Sequence, residues 1–103
     1  MSDPHLFELA DLFRLLGDAS RLSIVLCCMQ SPVAVMDIAN QTALSQSLVS
    51  HHLRLLKAAR IVKAQRQGRQ IFYQVADFHI SAMLSNMIEH MQENHHDHEQ
   101  DQE

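Results

Sequence analysis

Residues 44–75 read LSQSLVSHHLRLLKAARIVKAQRQGRQIFYQV, and within this stretch the apolar period changes from that of a helix to that of a strand. In the first half, Val49, Leu53 and Leu56 recur at i, i+4 and i+7, one buried stripe of a helix. Ser45 suits its N-cap, and the pattern runs to about Ala59. Gln46, Ser47, Ser50, His51 and Arg54 lie mainly on the opposite side, short, polar or cationic, as a helix entering the major groove requires. In the second half, Ile61 to Ala64 and Ile71 to Val75 read as strands, with Ile71, Tyr73 and Val75 alternating. Arg66-Gln67-Gly68-Arg69 between them is a hairpin turn with an arginine on each side of Gly68, able to reach backbone phosphates or a minor groove. Upstream, a short helix over Val35 to Gln41 and a turn at Thr42-Ala43-Leu44 complete a helix-turn-helix. The expected fold is mainly α with a small β-hairpin, a winged helix-turn-helix.

Working outward, Asp3-Pro4 can open a first helix that ends at Gly17. Its apolar positions Leu6, Leu9, Phe13 and Leu16, together with Phe7, Ala10 and Leu12, exceed one stripe, so a second face is expected to meet a partner chain. A second helix, Ala19 to about Met29, carries Leu22, Ile24, Val25 and Leu26 as nearly all buried, and Ser31-Pro32 breaks it. A last helix runs from near Asp77 to about Glu93 with the stripe Ile80, Leu84, Met87, Ile88 and Met91. Met83, Met87 and Met91, at i, i+4 and i+8, read as interface packing. Residues 1–93 form the winged domain with its terminal dimerisation helices, and residues 94–103 an acidic, His-bearing flexible tail.

A chain of 103 residues is one small domain that dimerisation would help to stabilise. The net charge of −4 conceals a segregation. All 12 acidic residues lie at or before Asp37, or at or after Asp77, whereas Arg54, Lys57, Arg60, Lys63, Arg66 and Arg69 stand unopposed between them. The local field is what a phosphate meets, and it favours double-stranded DNA. No apolar run approaches the ~20 residues that cross a bilayer, and the start Met1-Ser2-Asp3-Pro4 lacks signal-peptide character, so no membrane partner and a cytoplasmic location are expected. Adjacent Cys27 and Cys28 do not make a disulfide framework and read as small core groups.

Two ligand pairs mark the last helix, Asp77 with His79 and His90 with Glu93. The eleven residues from His79 to His90 turn about 1,100°, close to three full turns, so both rings leave one face about 16 Å apart. A zinc–nitrogen bond is only ~2 Å long, so one ion cannot bridge both pairs on one helix. Two such helices running antiparallel in a symmetric homodimer would form two identical intersubunit sites. Two imidazoles and two carboxylates fill a tetrahedral shell and leave no position for water, which argues for sensing or structure rather than hydrolysis, so neither an enzyme nor an organic substrate is expected.

Together these stretches resemble the ArsR/SmtB family of bacterial metalloregulators. The likeness is carried by Leu16-Gly17-Asp18-Ala19-Ser20-Arg21-Leu22, by Leu44 to Leu53 and by the wing from Lys63 to Arg69. The Asp-x-His, eleven-residue step, His-x-x-Glu pattern is similar to the zinc-sensing branch whose metal site lies on the C-terminal helices. The resemblance implies a repressor that binds operator DNA as a metal-free homodimer and is released by Zn(II), with Co(II), Ni(II) or Cd(II) as other candidate ions. By position, Asp77 and His79 would ligate from one chain and His90 and Glu93 from the other. The DNA contacts would be Ser45, Gln46, Ser47, Ser50, His51, Arg54, Arg66, Gln67 and Arg69. The resemblance also sets the Arg60 carbonyl opposite His90 as a relay, and in the metal-free form Gln46 would meet the DNA, with Asp77 as its alternative partner. Val33-Ala34-Val35-Met36-Asp37 has no thiol, which disfavours a thiolate site before the helix-turn-helix. The alternatives are a Ni(II)/Co(II)-responsive repressor using His95, His96 and His98, and a metal buffer or carrier.

Overall fold

The computed structural model describes residues 3–101, and of residues 95–101 the helical backbone only. The order of elements is α1 (Leu6–Leu16), α2 (Ala19–Cys27), β1 (Val33–Ala34), α3 (Val35–Thr42), α4 (Gln46–Ala58), β2 (Val62–Gln67), β3 (Gln70–Val75) and α5 (Phe78–Asp101). The helix-turn-helix and its wing are present as expected.

Helix α4 starts where its sequence allows. Ser45 has extended backbone, and its Oγ accepts the Leu48 N–H at 3.1 Å. Such a cap contributes about 1 kcal/mol. Burial of the apolar face contributes more: Val49, Leu53 and Leu56 are essentially inaccessible to solvent, at ~1.5–3 kcal/mol each. The helix ends in a Schellman arrangement: the Ile61 N–H bonds to the Leu56 carbonyl and the Arg60 N–H to the Lys57 carbonyl. Arg60 occupies the left-handed position at φ 63°, which glycine usually fills. Ala43 takes the same region at φ 60° and ends α3, so the three residues Ala43-Leu44-Ser45 turn the chain from one helix into the next.

The wing is longer than its expected strands. β2 and β3 pair antiparallel from Val62↔Val75 to Gln67↔Gln70, because the ladder continues through the polar residues up to the turn. Gly68 has φ +65° while Arg69 does not have positive φ, the signature of a type II′ hairpin turn. β1 was not expected. Val33 and Ala34 add to the free edge of β3 opposite Tyr73 and Phe72, giving the order β1-β3-β2; two residues are too short a strand to show alternation.

Three helix boundaries also differ. α1 begins at Leu6 rather than at Pro4, because Asp3 Oδ1 accepts the His5 N–H at 2.8 Å and makes a turn ahead of the helix. α2 ends at Cys27, two residues early, and begins at a cap in which Asp18 Oδ2 accepts the Arg21 N–H at 2.9 Å. α5 continues past Glu93 to Asp101, since no glycine or proline follows Asp77 to interrupt it.

The core gathers Ile24, Val25 and Cys28 of the α2 region, Ile38 and Ala39 of α3, the α4 stripe, and Ile61, Val62 and Val75 of the sheet. Among the described residues, the fully buried contribution of α1 is Leu15 and Leu16 and that of α5 is Ile80 and Leu84. On α2, Ile24 and Val25 are buried as expected, but Leu22 is only half-buried and Leu26 is exposed. Leu26 lies instead on a groove shared with Ile88 and Glu89 of α5. Leu12 of α1 and Met83 of α5 are partly buried against this core, so Met83 packs within the protomer, while most of the other described apolar side chains of the two helices face outward, with Phe7 84%, Phe78 78% and Met91 66% accessible. Among the described residues, no helix is long and apolar enough to cross a membrane.

Candidate nucleic-acid interface and metal-ligand positions

Burial of the stripe on α4 leaves its other side free. Gln46, Ser47, His51 and Arg54 are exposed and Ser50 is half-buried. Ser45 is exposed too, but its hydroxyl is already engaged in the helix cap. At the hairpin end, Arg66, Gln67 and Arg69 are all exposed. Arg66 faces Ile71 across the ladder, and Arg69 sits in the turn itself. The protomer thus presents a polar helix face and a cationic hairpin tip, with no acidic residue between Asp37 and Asp77 to oppose them.

One residue of α4 escaped the sequence reading. His52 is 8% accessible, and its Nδ1 has no hydrogen-bond partner among the described residues. Burial pushes its imidazole below the usual range; Asp18 opposes that shift, while Arg21 and His51 add to it. The signal was there: Val49, His52, Leu53 and Leu56 fall at i, i+3, i+4 and i+7. His52 therefore belongs to the buried stripe and His51 to the groove face, their ring centroids 5.7 Å apart. Asp18, held down mainly by the Arg21 N–H, is the carboxylate that caps α2.

The four expected metal ligands lie on or beside α5, and all are exposed. Asp77 precedes the helix, where its Oδ1 accepts the Ile80 N–H at 3.1 Å. His79 follows two residues later, its ring 6.2 Å from that of Phe78. His90 and Glu93 stand three turns further along the same uninterrupted helix. The His90 Nε2 contacts the Asn94 side-chain nitrogen at 3.1 Å. The fold therefore keeps Asp77 near His79, and His90 near Glu93, but does not bring the two pairs together within one protomer. Among the described residues, no group of three or more His, Cys, Asp or Glu side chains could hold an ion. The side chains of His95, His96 and His98 lie outside the described residues. The thiols are poor candidates: Cys28 is fully buried, and burial pushes it up to about 12. Cys27, half-buried, is also raised by burial.

Residues 18–64, from the α2 cap through the helix-turn-helix into β2, match the family described as "Bacterial regulatory protein, arsR family". A transcriptional regulator of Mycobacterium tuberculosis, NmtR, is 34% identical over 88 residues, covering 85% of this chain and 73% of that protein. The chain belongs to the ArsR family. A transcriptional repressor SmtB homolog from Synechocystis is 36% identical over 86 residues, which cover 84% of this ArsR-family chain and 65% of the relative. The chain thus spans slightly under two thirds of that repressor's length. In three dimensions it is similar to the homodimeric winged helix-turn-helix DNA-binding domain of a Mycobacterium bovis protein. The TM-score is 0.81 at 26% identity, over 95% of this chain and 93% of that one. The resemblance carried by the sequence motifs and the winged helix-turn-helix fold are both borne out.

Proposed function

We propose that this ArsR-family chain is a metal-responsive transcriptional repressor. In this reading it binds operator DNA as a metal-free homodimer and is released when Zn(II) fills two intersubunit sites. The observation that carries the metal reading is the separation of the two donor pairs on one face of the unbroken α5 helix, about 16 Å along its axis. The donor set suits Zn(II), with two imidazoles, two carboxylates and no thiol. Each pair is half a tetrahedral shell, and a second copy with its α5 antiparallel supplies the other half. The outward apolar residues of α1 and α5, among them Phe7, Phe13, Met87 and Met91, support a homodimer through these helices. That assembly would cover side chains a lone protomer leaves in water.

Bound metal would supply a fixed link between the two α5 helices. The chain's own residues do the rest. In each dimer two copies of α4, related by a twofold axis, meet half-sites about 34 Å apart, while Arg66 and Arg69 hold the backbone. Arg60 lies where α4 passes into β2, its backbone set by the Schellman bonds on either side. The Arg60 carbonyl is the acceptor we assign to the His90 ring N–H that remains when the other ring nitrogen is a ligand. That bond would connect the metal half-site to the end of the reading helix. It need shift the DNA equilibrium by only ~1–3 kcal/mol, about 5- to 150-fold. Gln46 would contact DNA in the metal-free form, with Asp77 as its other partner. Asp77 already has a use without metal, as the α5 cap.

The test is a parallel titration of the dimer–operator complex with Zn(II), Co(II), Ni(II) and Cd(II), on the full chain and on a chain ending at Asn94. Release by Zn(II) that survives truncation is expected. Release by Ni(II) or Co(II) alone, lost on truncation, would replace zinc with an ion held by the tail histidines. Metal binding with no change in DNA affinity would make the protein a carrier.

A further inference from the structure

The first turn of α4 is not wholly polar. Gln46 and Ser47 are polar and exposed, but Leu48 beside them is apolar and still 39% accessible. A helix advances about 100° per residue, so Gln46 and Leu48 flank Ser47 on either side at the start of the helix. Leu48 stands at the border of the buried stripe: its i+4 neighbour His52 is buried, and its i+3 neighbour His51 is exposed on the groove face. The backbone beneath it is fixed, because its N–H is the one that the Ser45 hydroxyl accepts. At the far end of α4, Ala58 and Ala59 border a cleft whose other wall is Leu9 and Leu12 of α1. Asp18, at the junction of α1 and α2, is close enough to His52 to act on its charge. Leu48 lies one turn beyond His52 toward the start of α4, past the end of α1.

We propose that Leu48 is a specificity-determining residue of the reading helix: its side chain packs on the C5-methyl group of a thymine in the major groove, so that each operator half-site carries a thymine at that position. The role rests on α4 being the helix that enters the groove. Every base edge on the groove floor presents hydrogen-bond donors or acceptors, and thymine alone adds a methyl group. A leucine offers neither donor nor acceptor. Against a guanine, adenine or cytosine edge it would strip water from polar atoms and replace none of their bonds. Against the thymine methyl it takes apolar surface out of water on both sides. The residues around it suit the same duplex: Ser47, His51 and Arg54 carry no negative charge, and no acidic residue lies between Asp37 and Asp77 to hold phosphates away. One methyl group buried in this way changes affinity by about 4-fold, and two, one in each half-site, by about 15-fold.

The probe is a duplex selected from a random pool by the full-length, chelator-treated protein. Each thymine of a half-site is replaced in turn by deoxyuridine, which pairs in the same way and lacks only the methyl group. Fluorescence anisotropy reads the affinity at one fixed salt concentration. The expected result is one position per half-site where the replacement weakens binding about 4-fold, and about 15-fold when both half-sites are changed. Leu48→Ala should lose that sensitivity and bind the thymine and deoxyuridine duplexes equally, while Leu48→Met should keep it. A methyl effect that acts through the shape of the DNA would persist in Leu48→Ala, and that result overturns the proposal. A selected duplex in which no replacement weakens the unaltered protein overturns it as well, a measurement that needs no variant to fold, and it leaves DNA binding by α4 standing. Failure of the protein to select any sequence would overturn the reading of α4 together with the role of Leu48.

Discussion

If each ion is shared between two protomers, two chains that are each unable to hold zinc should restore a site when mixed. One chain carries Asp77→Ala and His79→Ala, the other His90→Ala and Glu93→Ala. In either homodimer both sites keep only two of four donors. A four-donor zinc site in a small domain is worth about 10–16 kcal/mol, so losing half the donors should cost on the order of 5–8 kcal/mol, well over 1,000-fold in affinity. In the mixed dimer one site loses all four donors and the other keeps all four, because the intact Asp77/His79 pair of one chain meets the intact His90/Glu93 pair of the other. Random exchange makes about half the dimers mixed, so zinc bound tightly should return to about one quarter of the unaltered protein's content, from near zero in each variant alone. Tetrahedral Co(II) absorption or chelator competition after subunit exchange reads this directly. The prediction depends on α5 being unbroken from Phe78 to Asp101, which keeps the pairs about 16 Å apart while metal bonds span ~2 Å. No recovery in a mixture shown to contain mixed dimers would refute the shared site. Full binding by either variant alone would refute the donor set.

Three further outcomes test the reading helix and the wing. Ser45→Ala removes the α4 cap and should lower stability by about 1 kcal/mol, read as a fall of ~4–8 °C in Tm by circular dichroism. Replacing Arg66 or Arg69 with Ala should flatten the plot of log affinity against log salt by about 0.9 for each phosphate that is no longer neutralised; an unaltered slope would remove the wing from the DNA interface. Because burial lowers the His52 imidazole, the unfolded chain takes up that proton first on acidification. The His52 contribution to stability is therefore complete above ~6.5 and declines as pH falls from there toward the lower folded value. Urea midpoints measured across that range should show a slope that His52→Gln reduces, and an equal slope in both proteins would refute the assignment.

Much of the architecture is legible in the sequence because helices and hairpins announce themselves locally. The stripe Val49, Leu53, Leu56 with Ser45 ahead of it identifies the reading helix, and the positive-φ demand at Gly68 identifies the hairpin turn. β1 is invisible there, since a two-residue strand exists only through its pairing with Phe72 and Tyr73. Asp3 misleads because a carboxylate followed by proline suits both a cap and the turn that precedes one. Hydropathy alone puts Leu26 in the core, yet α2 directs it to a groove beside α5.

The linear order of residues was enough to decide the winged helix-turn-helix, the separation of basic from acidic segments and the eleven-residue step between His79 and His90, because each depends on short-range geometry or on composition. Tertiary structure alone decided that the His52 ring is left with an unpaired Nδ1 among the described residues, that Arg60 takes a left-handed conformation at the end of α4, and that α1 and α5 leave most of their described apolar side chains uncovered. Those outcomes depend on which surfaces meet. Burial is a relation between distant segments, and a periodic pattern can place a residue on a helix face without saying whether anything lies against it.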